Sequence, residues 1–442
     1  MFKKEKTKKK QKQIRNADCG DIQGRCIMKR LVSTLMRNRR DNGMHSGHLG
    51  PATFTSMASF LSKHGPTSYQ CPPSIFSRKQ YEKMICIGDI HGDLLALLTA
   101  LFVLGCIDDR ARWKTDAQKV IVVICGDVMD RTRHHVDPVT RESKLISDRS
   151  FDNPREEVDV IQYLHALNIE SSKSSSKVVC LLGNHEVCTS FPNISQCRGM
   201  ENTFQNAYYS RGWVDDGSTR TKAWTDAQVM TEKMSMFSAG RSFAQYMAVH
   251  FPLVIVVGNF ILVHGGINIS ILNNVQKITG TKETKTLTSM NQIMSKWLFH
   301  DTIPTNKQIQ NELLSLVWNR ELAQAQQTDV TCAKKLYKVF KSLGLDWNLG
   351  GVVVGHTVQP NLSPTCSSDG IHKVWRVDLA LSEAFGTPTS TGGIIVRQTP
   401  DETIVHTHQF KKNQEIAHTY VNGRHSKQSS SMFMLRIKIP ES

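Results

Sequence analysis

Five times in this chain a run of apolar residues ends in a glycine turn that carries Asp, Asn or His. Met84–Ile87 runs into Gly88-Asp89-Ile90-His91-Gly92-Asp93, and Val120–Cys125 into Gly126-Asp127-Val128-Met129-Asp130-Arg131. Val178–Leu182 is followed by Gly183-Asn184-His185-Glu186, Ile261–Val263 by His264-Gly265-Gly266, and Val352–Val354 by Gly355-His356-Thr357. Short apolar runs bounded by turn residues read as buried strands. Helical patterns separate the first three. Leu94–Leu104 follows Asp93 as a cap. A second helix has Asn153 as N-cap, Pro154 in its first turn, Glu156 and Glu157 near its positive end, and Val158, Ile161, Leu164 and Leu167 on one face. Strand, helix, strand, helix, strand predicts an α/β core with buried parallel strands. The later runs Leu253–Val257, Ile261–Val263, Val352–Val354, Val374–Val377, Ile394–Val396 and Thr403–His406 have little helix between them near the C-terminus, which predicts a second, mixed sheet.

In open α/β sheets the carboxyl ends of the strands converge on one crevice, where ligands bind. Here they would bring together Asp89, His91, Asp127, Asn184, His264 and His356. These are oxygen and nitrogen donors with no thiolate, a set that suits Mn, Fe or Zn and is too rich in histidine for Ca or Mg. Six such side chains can hold two ions about 3.5–4 Å apart if one carboxylate bridges them. Asp127, on the second of three consecutive strands, is the expected bridge. Two close ions fit in-line hydrolysis of a phosphate ester. His185, next to Asn184, is placed to protonate the leaving alkoxide, with Asp130 as the carboxylate that orients it. Arg131 can grip phosphate oxygens bidentately. Each motif alone is weak, since a strand-end Asp is more often a cap or turn residue. Five in order, each directly behind an apolar run, make a complete donor set.

The 442 residues are 39% hydrophobic, which excludes wholesale disorder, collagen and a multi-spanning membrane protein. The formal charge of +16 suggests an anionic partner. However, residues 1–40 hold fourteen Lys or Arg against Glu5, Asp18 and Asp21, so about +11 belongs to the N-terminus. Residues 1–15 read as a disordered Lys-rich tail that binds polyanions weakly or acts in nuclear import. Residues 25–40 read as a basic amphipathic helix, and the Gly, Ser, Thr and Pro composition up to about Ser77 reads as a linker. The expected organisation is an arm over 1–78, largely disordered, a catalytic domain over 79–409 and a C-terminal extension over 410–442. No apolar segment follows the basic start, and the longest apolar run, Phe251 to Val263, is broken by Gly258 and Asn259. No secretory signal or transmembrane segment is therefore expected, and the location should be intracellular, cytoplasmic or nuclear. The eleven cysteines contain no CxxC pair and read as reduced core thiols. His134, His135, His165, His372, His406 and His408 read as surface or satisfied core residues.

Across about residues 82–397 these blocks resemble the calcineurin-like metallophosphoesterase superfamily and, within it, the phosphoprotein phosphatases. The resemblance implies a central pair of mixed β-sheets flanked by helices, an α/β fold with the metals at one edge. It implies Asp89, His91 and Asp127 on the first metal and Asp127, Asn184, His264 and His356 on the second. It also implies His185 with Asp130 as proton donor and partner, and Arg131 on phosphate. Asp93 stands where the eukaryotic enzymes carry Gln, and their C-terminal Ser-Ala-Pro-Asn-Tyr segment is missing. Leu316-Val317-Trp318-Asn319-Arg320-Glu321 and Val377–Phe385 are instead similar to the bacterial-type, Shewanella-like branch, which would make Arg320 a second phosphate-clamping arginine. Thr132 replaces the Gly common after Asp-Arg. The expected activity is phosphomonoester hydrolysis on phosphorylated protein, at Ser/Thr or Tyr. The substrate is expected to be phosphorylated protein or a small phosphoester, and the competing enzyme reading is hydrolysis of a dinucleoside polyphosphate, a nucleotide or a nucleic-acid end on the same core.

Overall fold

The computed structural model describes residues 48–114, 116–131, 134–136, 143–145, 155–194, 207–368, 371–382, 390–411 and 414–423. The basic arm, the helix expected over 25–40, Thr132, Asn153, Pro154 and the tail after 423 lie outside them.

Two six-stranded sheets form the centre. In chain order the strands are β1 (Ile75–Phe76), β2 (Lys83–Ile87), β3 (Val120–Ile124), β4 (Lys177–Cys180), β5 (Val254–Val257), β6 (Phe260–Val263), β7 (Gly351–Val354), β8 (Pro364–Thr365), β9 (Val374–Arg376), β10 (Ser390–Gln398), β11 (Glu402–Lys411) and β12 (Gln414–Gly423). One sheet has the order β12-β11-β10-β2-β3-β4 and the other β8-β9-β7-β6-β5-β1. β2, β3 and β4 run parallel, as do β6, β7 and β9, while β10 is antiparallel to β2 and β6 antiparallel to β5. Both sheets are therefore mixed.

Strand alternation explains why the runs are apolar throughout. Met84 and Cys86 of β2, with Ile121 and Val123 of β3, join Ile255, Leu262, Val353 and Trp375 in the core between the sheets. The alternate residues Ile85, Ile87, Val122 and Ile124 face the outer helices and belong to the larger core. A strand buried on both faces has no polar side to present. The outer layer over β2–β4 includes α2 (Leu94–Val103) and α3 (Glu156–Ser172), and α4 (Asn184–Ser190) starts directly at the site. Asp93 caps α2, its Oδ1 accepting the Ala96 N–H at 2.9 Å, as expected.

Four expectations need correction. The stretch that reads as a linker holds α1 (Met57–His64), which buries Met57, Phe60 and Leu61 at helical spacing. The runs at Ile394–Val396 and Thr403–His406 do not build the second sheet; they extend the first one, because Ile394–Arg397 pair with Lys83–Cys86. The sheet does not stop at residue 409 either, since β12 pairs with β11 through Gly423. Finally, Cys332 and Cys366 are joined in a disulfide, and Cys188 is also disulfide-bonded, although Cys86, Cys106, Cys125 and Cys180 are buried free thiols. A reducing compartment disfavours such bonds.

Candidate active site

The five glycine turns meet at one edge of the paired sheets. Backbone hydrogen bonds lock the first two loops together: Ile90 and His91 donate to Asp127 O at 3.0 and 2.8 Å, and Gly92 donates to Val128 O at 2.7 Å. The last two are tied by Gly355 N–H to His264 O at 2.9 Å. The approach is so close that a Cβ on Gly355 would lie 2.4 Å from Asp89 Oδ1. Gly126, at φ +95°, leaves no room for a side chain against His264 and Gly183. His91, Asp127, Asp130 and His356 all have left-handed backbone, with φ of 46°, 47°, 67° and 62°. Non-glycine residues adopt this region at a cost, and such strain persists where surrounding structure enforces it.

Asp127 is the hub. Its Oδ2 lies 3.8 Å from His91 Nε2, 3.7 Å from His185 Nε2 and 3.4 Å from His264 Nε2. Two sets of three donors, each with all its atoms within 4.8 Å of one another, fit a metal ion: His91 with Asp127 and His185, and Asp127 with His264 and His356. Asp127 belongs to both. All five side chains are buried, as are Asp89 and Asn184. Asn184 Oδ1 lies 3.0 Å from His264 Nε2, and Asp89 Oδ2 lies 4.0 Å from His91 Nε2. Asp89 also accepts the His356 backbone N–H, at 3.2 and 3.1 Å to its two oxygens.

The imidazoles are aimed from behind. His264 Nδ1 is 2.7 Å from Cys125 O, and His91 Nδ1 is 3.3 Å from Met129 O, so each ring turns Nε2 toward the carboxylates. This is how outer partners orient metal-binding histidines. His356 Nε2 is buried without a hydrogen-bond partner. An orphaned nitrogen beside two carboxylates and two other imidazoles is what a cation site looks like without its cation. The chemistry of this donor set fits Mn, Fe or Zn.

The charges are strongly perturbed. Burial, then repulsion from Asp378, pushes the Asp89 carboxyl well above its usual range. Burial would raise Asp127 too, but His185, His264 and His91 hold it well below. Burial would lower His264, yet Asp127 and Asp89 raise it to about 10. Burial and the neighbouring His264 lower His356 to about 2. The perturbations run in opposite directions within one cluster, with Asp127 held anionic and His264 cationic by each other.

Of the other expected site residues, His185 Nδ1 lies 2.6 Å from Asp130 Oδ2. This fixes the ring and leaves Nε2 toward Asp127. Arg320 is exposed at the rim, its Nη1 donating to His356 O at 2.7 Å and Thr357 Oγ1 at 3.1 Å. Arg131, expected on phosphate, is buried beside two carboxylates. Its guanidinium is 2% exposed, with Nη1 3.2 Å from both Asp93 Oδ2 and Glu156 Oε2. A buried cation takes carboxylate partners, and the Asp at position 93 supplies one of them.

Sequence reasoning missed Glu186. This fully buried carboxylate accepts four backbone N–H groups, Val128 (2.9 Å) and Met129 (3.1 Å) at Oε1, Asp127 (3.0 Å) and Gly183 (2.8 Å) at Oε2. Its place three residues after a helix-capping position was the available signal. Glu157 acts similarly one loop away, accepting from Arg131 N–H at 2.8 Å and Trp213 Nε1 at 2.7 Å.

The family described as Calcineurin-like phosphoesterase matches residues 83–360, more than half of the chain, and the chain belongs to that family. Shewanella-like protein phosphatase 2 of Arabidopsis thaliana is 29% identical over 106 residues, 24% of this chain and 21% of that protein. Shewanella-like protein phosphatase 1 of Plasmodium berghei (strain Anka) is 26% identical over 192 residues, 43% of this chain and 40% of that protein. The chain therefore spans two fifths or less of the length of these curated relatives. Among solved structures, a cold-active protein-tyrosine phosphatase of a psychrophilic Shewanella species overlays with a TM-score of 0.49 at 16% identity, covering 79% of this chain and 81% of that one.

Proposed function

We propose that this chain is a metal-dependent phosphomonoesterase that acts on phosphorylated protein. The observation that carries the reading is that Asp127 is grouped both with His91 and with His264 and His356; His185, the remaining donor beside His91, is read as the proton donor, with Asp89 taking its place on the ion. In this reading Asp89, His91 and Asp127 hold one ion, and Asp127, Asn184, His264 and His356 hold the other. Ions of the Mn, Fe or Zn kind bound there would supply Lewis-acid charge to a phosphoryl oxygen and acidify water. The chain's own residues do the rest. His185 delivers a proton from Nε2 to the leaving alkoxide oxygen. Asp130 holds His185 Nδ1, so the ring cannot turn away. Arg320 reaches phosphoryl oxygens from the rim. Arg131 adds charge from below, held by Asp93 and Glu156. Phosphoprotein is favoured over a dinucleotide because the curated relatives carry protein phosphatase in their names.

Among the described residues no helix is long and apolar enough to cross a membrane. The cytoplasmic or nuclear location suggested by the basic arm competes with the disulfides, which favour an oxidising compartment. Polyanion binding by that arm would be lost on deletion of residues 1–40.

The test of substrate class is a panel of phosphoserine, phosphothreonine and phosphotyrosine peptides beside diadenosine tetraphosphate, run with Mn, Fe and Zn. Turnover of a phosphopeptide is expected. Cleavage of the dinucleotide with no phosphopeptide turned over would overturn the reading.

A further inference from the structure

Three helices, α5 (Ile269–Thr279), α6 (Lys285–His300) and α7 (Val330–Leu343), contain one, two and four lysines respectively and no Asp or Glu. Gln276 of α5 ties all three together. Its Nε2 donates to Thr286 Oγ1 of α6 at 3.2 Å and to Ser342 Oγ of α7 at 3.1 Å. Lys277, Lys285 and Lys341 are each one residue away from this junction. All three are exposed, as are Lys282, Lys334 and Lys338. α7 turns Leu336, Val339, Phe340 and Leu343 into the core, so Lys334, Lys338 and Lys341, at i, i+4 and i+7, line its outer face. The fold thus gathers six lysines from two distant stretches of sequence into one positive face. Nearby acids do not cancel it. Glu321 is paired with Lys335 at 2.7 Å, Asp329 caps α7 through the Cys332 N–H at 2.9 Å, and Glu283, exposed beside Gly344, offsets one lysine of the six.

We propose, building on the phosphoprotein reading above, that this face docks an acidic segment of the protein substrate, apart from the phosphorylated residue itself. Three observations favour a protein segment over other polyanions. The Lys335–Glu321 ion pair joins the start of α7 to the residue that follows Arg320, at the rim of the candidate site. From there Lys334 to Lys341 extends about 10 Å along the helix. A chain bound with its phosphate at Arg320 can therefore continue onto the lysines. Next, Tyr337 stands between the lysines, 49% exposed, with its ring edge-on to Trp347 at 5.6 Å, and Ile278 is 36% exposed beside Lys277. Such scattered apolar contacts suit a peptide that mixes acidic and apolar side chains, and are too few to anchor a helix in a bilayer. Finally, none of the three helices carries an arginine, the residue whose planar fork matches phosphate groups. Lysine point charges serve single carboxylates.

One exposed ion pair contributes little, but several together raise affinity and encounter rate, and salt screens them. Contacts this far from the reacting phosphoryl group are the same in the ground state and the transition state. They therefore lower KM and leave kcat unchanged.

The test compares the full chain with the double variant Lys338→Glu, Lys341→Glu, two exposed changes outside the catalytic donors. Binding of an unphosphorylated peptide of mixed Asp, Glu and Leu is read by fluorescence anisotropy, which needs no turnover. Wild type is expected to bind it and the variant to bind about tenfold more weakly, with the difference shrinking at high salt. Turnover is then compared on two phosphoserine peptides, one neutral and one carrying that acidic stretch. The variant should raise KM about five- to tenfold for the acidic peptide only, and leave kcat and hydrolysis of p-nitrophenyl phosphate unchanged. Equal peptide binding by wild type and variant, or a KM unchanged for the acidic peptide, would overturn the proposal. Absence of turnover on every phosphopeptide would count against the phosphoprotein reading instead, with the anisotropy comparison still deciding the docking face. Lysine-dependent binding of polyuridylate or of phosphatidylserine vesicles, without binding of the acidic peptide, would give the face to another polyanion and overturn the proposal too.

Discussion

Glu186 Oε2 accepts the backbone N–H of Asp127 at 3.0 Å, so a residue at the start of α4 fixes the left-handed backbone of the central carboxylate. The same side chain holds Val128 and Met129, which lead to Asp130. Burial, then the Asp127 charge, raises Glu186 to about 7. Its geometry still demands two acceptor oxygens. In Glu186→Gln the amide NH2 would face two N–H donors. We expect a loss of about 2–3 kcal/mol in denaturant unfolding, with activity falling along with the placement of Asp127. A variant as stable and as active as wild type would remove Glu186 from the account.

His185 is read as a proton donor, and general acids typically contribute about 10²–10⁴-fold. His185→Asn should lose that much kcat on a phosphoserine peptide. The loss should shrink with p-nitrophenyl phosphate, whose leaving group needs no proton. Asp130→Asn should follow the same pattern more weakly, because it acts through the ring. Equal losses on both substrates would mean that His185 binds or positions instead.

Much of the candidate site's geometry is legible in sequence because its signals are local. An apolar strand, a glycine and a donor residue follow one another within a few positions, as in Cys125-Gly126-Asp127. What is not legible depends on distant partners. Nothing local tells β10 to pair with β2, nearly the whole domain earlier. Helix α1 is hidden in a Gly, Ser, Thr and Pro background because only Met57, Phe60 and Leu61 mark its buried face. The carboxylate that Glu156 brings to Arg131 comes from a separate helix and has no local signal. The Cys332–Cys366 pair, 34 residues apart, leaves no spacing signal either.

That disulfide should contribute to stability. Closing a loop of this length stabilises by about 3–4 kcal/mol in the chain-entropy description. Cys366→Ala, measured without reductant, should lower stability by a comparable amount, and reductant should have less effect on the variant than on wild type. Unchanged stability would show that the bond is not formed in solution.

His165 on α3 and His250 at the end of the helix Ser242–His250 predict acid sensitivity. His165 and His250 bind protons in the unfolded chain near pH 6.5 but in the folded chain only near 4. Between those values the unfolded state holds more protons, so stability is present above about pH 6.5 and is lost as pH falls toward 4. His165→Gln should flatten this part of the stability–pH curve in metal-free protein. An unchanged slope would show that the imidazole is not held neutral.

The central claim is that Asp127 joins two donor groups into one hydrolytic site. Its most direct test is phosphopeptide turnover by metal-loaded Asp127→Asn beside wild type. The account predicts a loss of more than about a hundredfold, since displacing even an outer partner of a metal ligand costs about 10–100-fold. Turnover equal to wild type would contradict it.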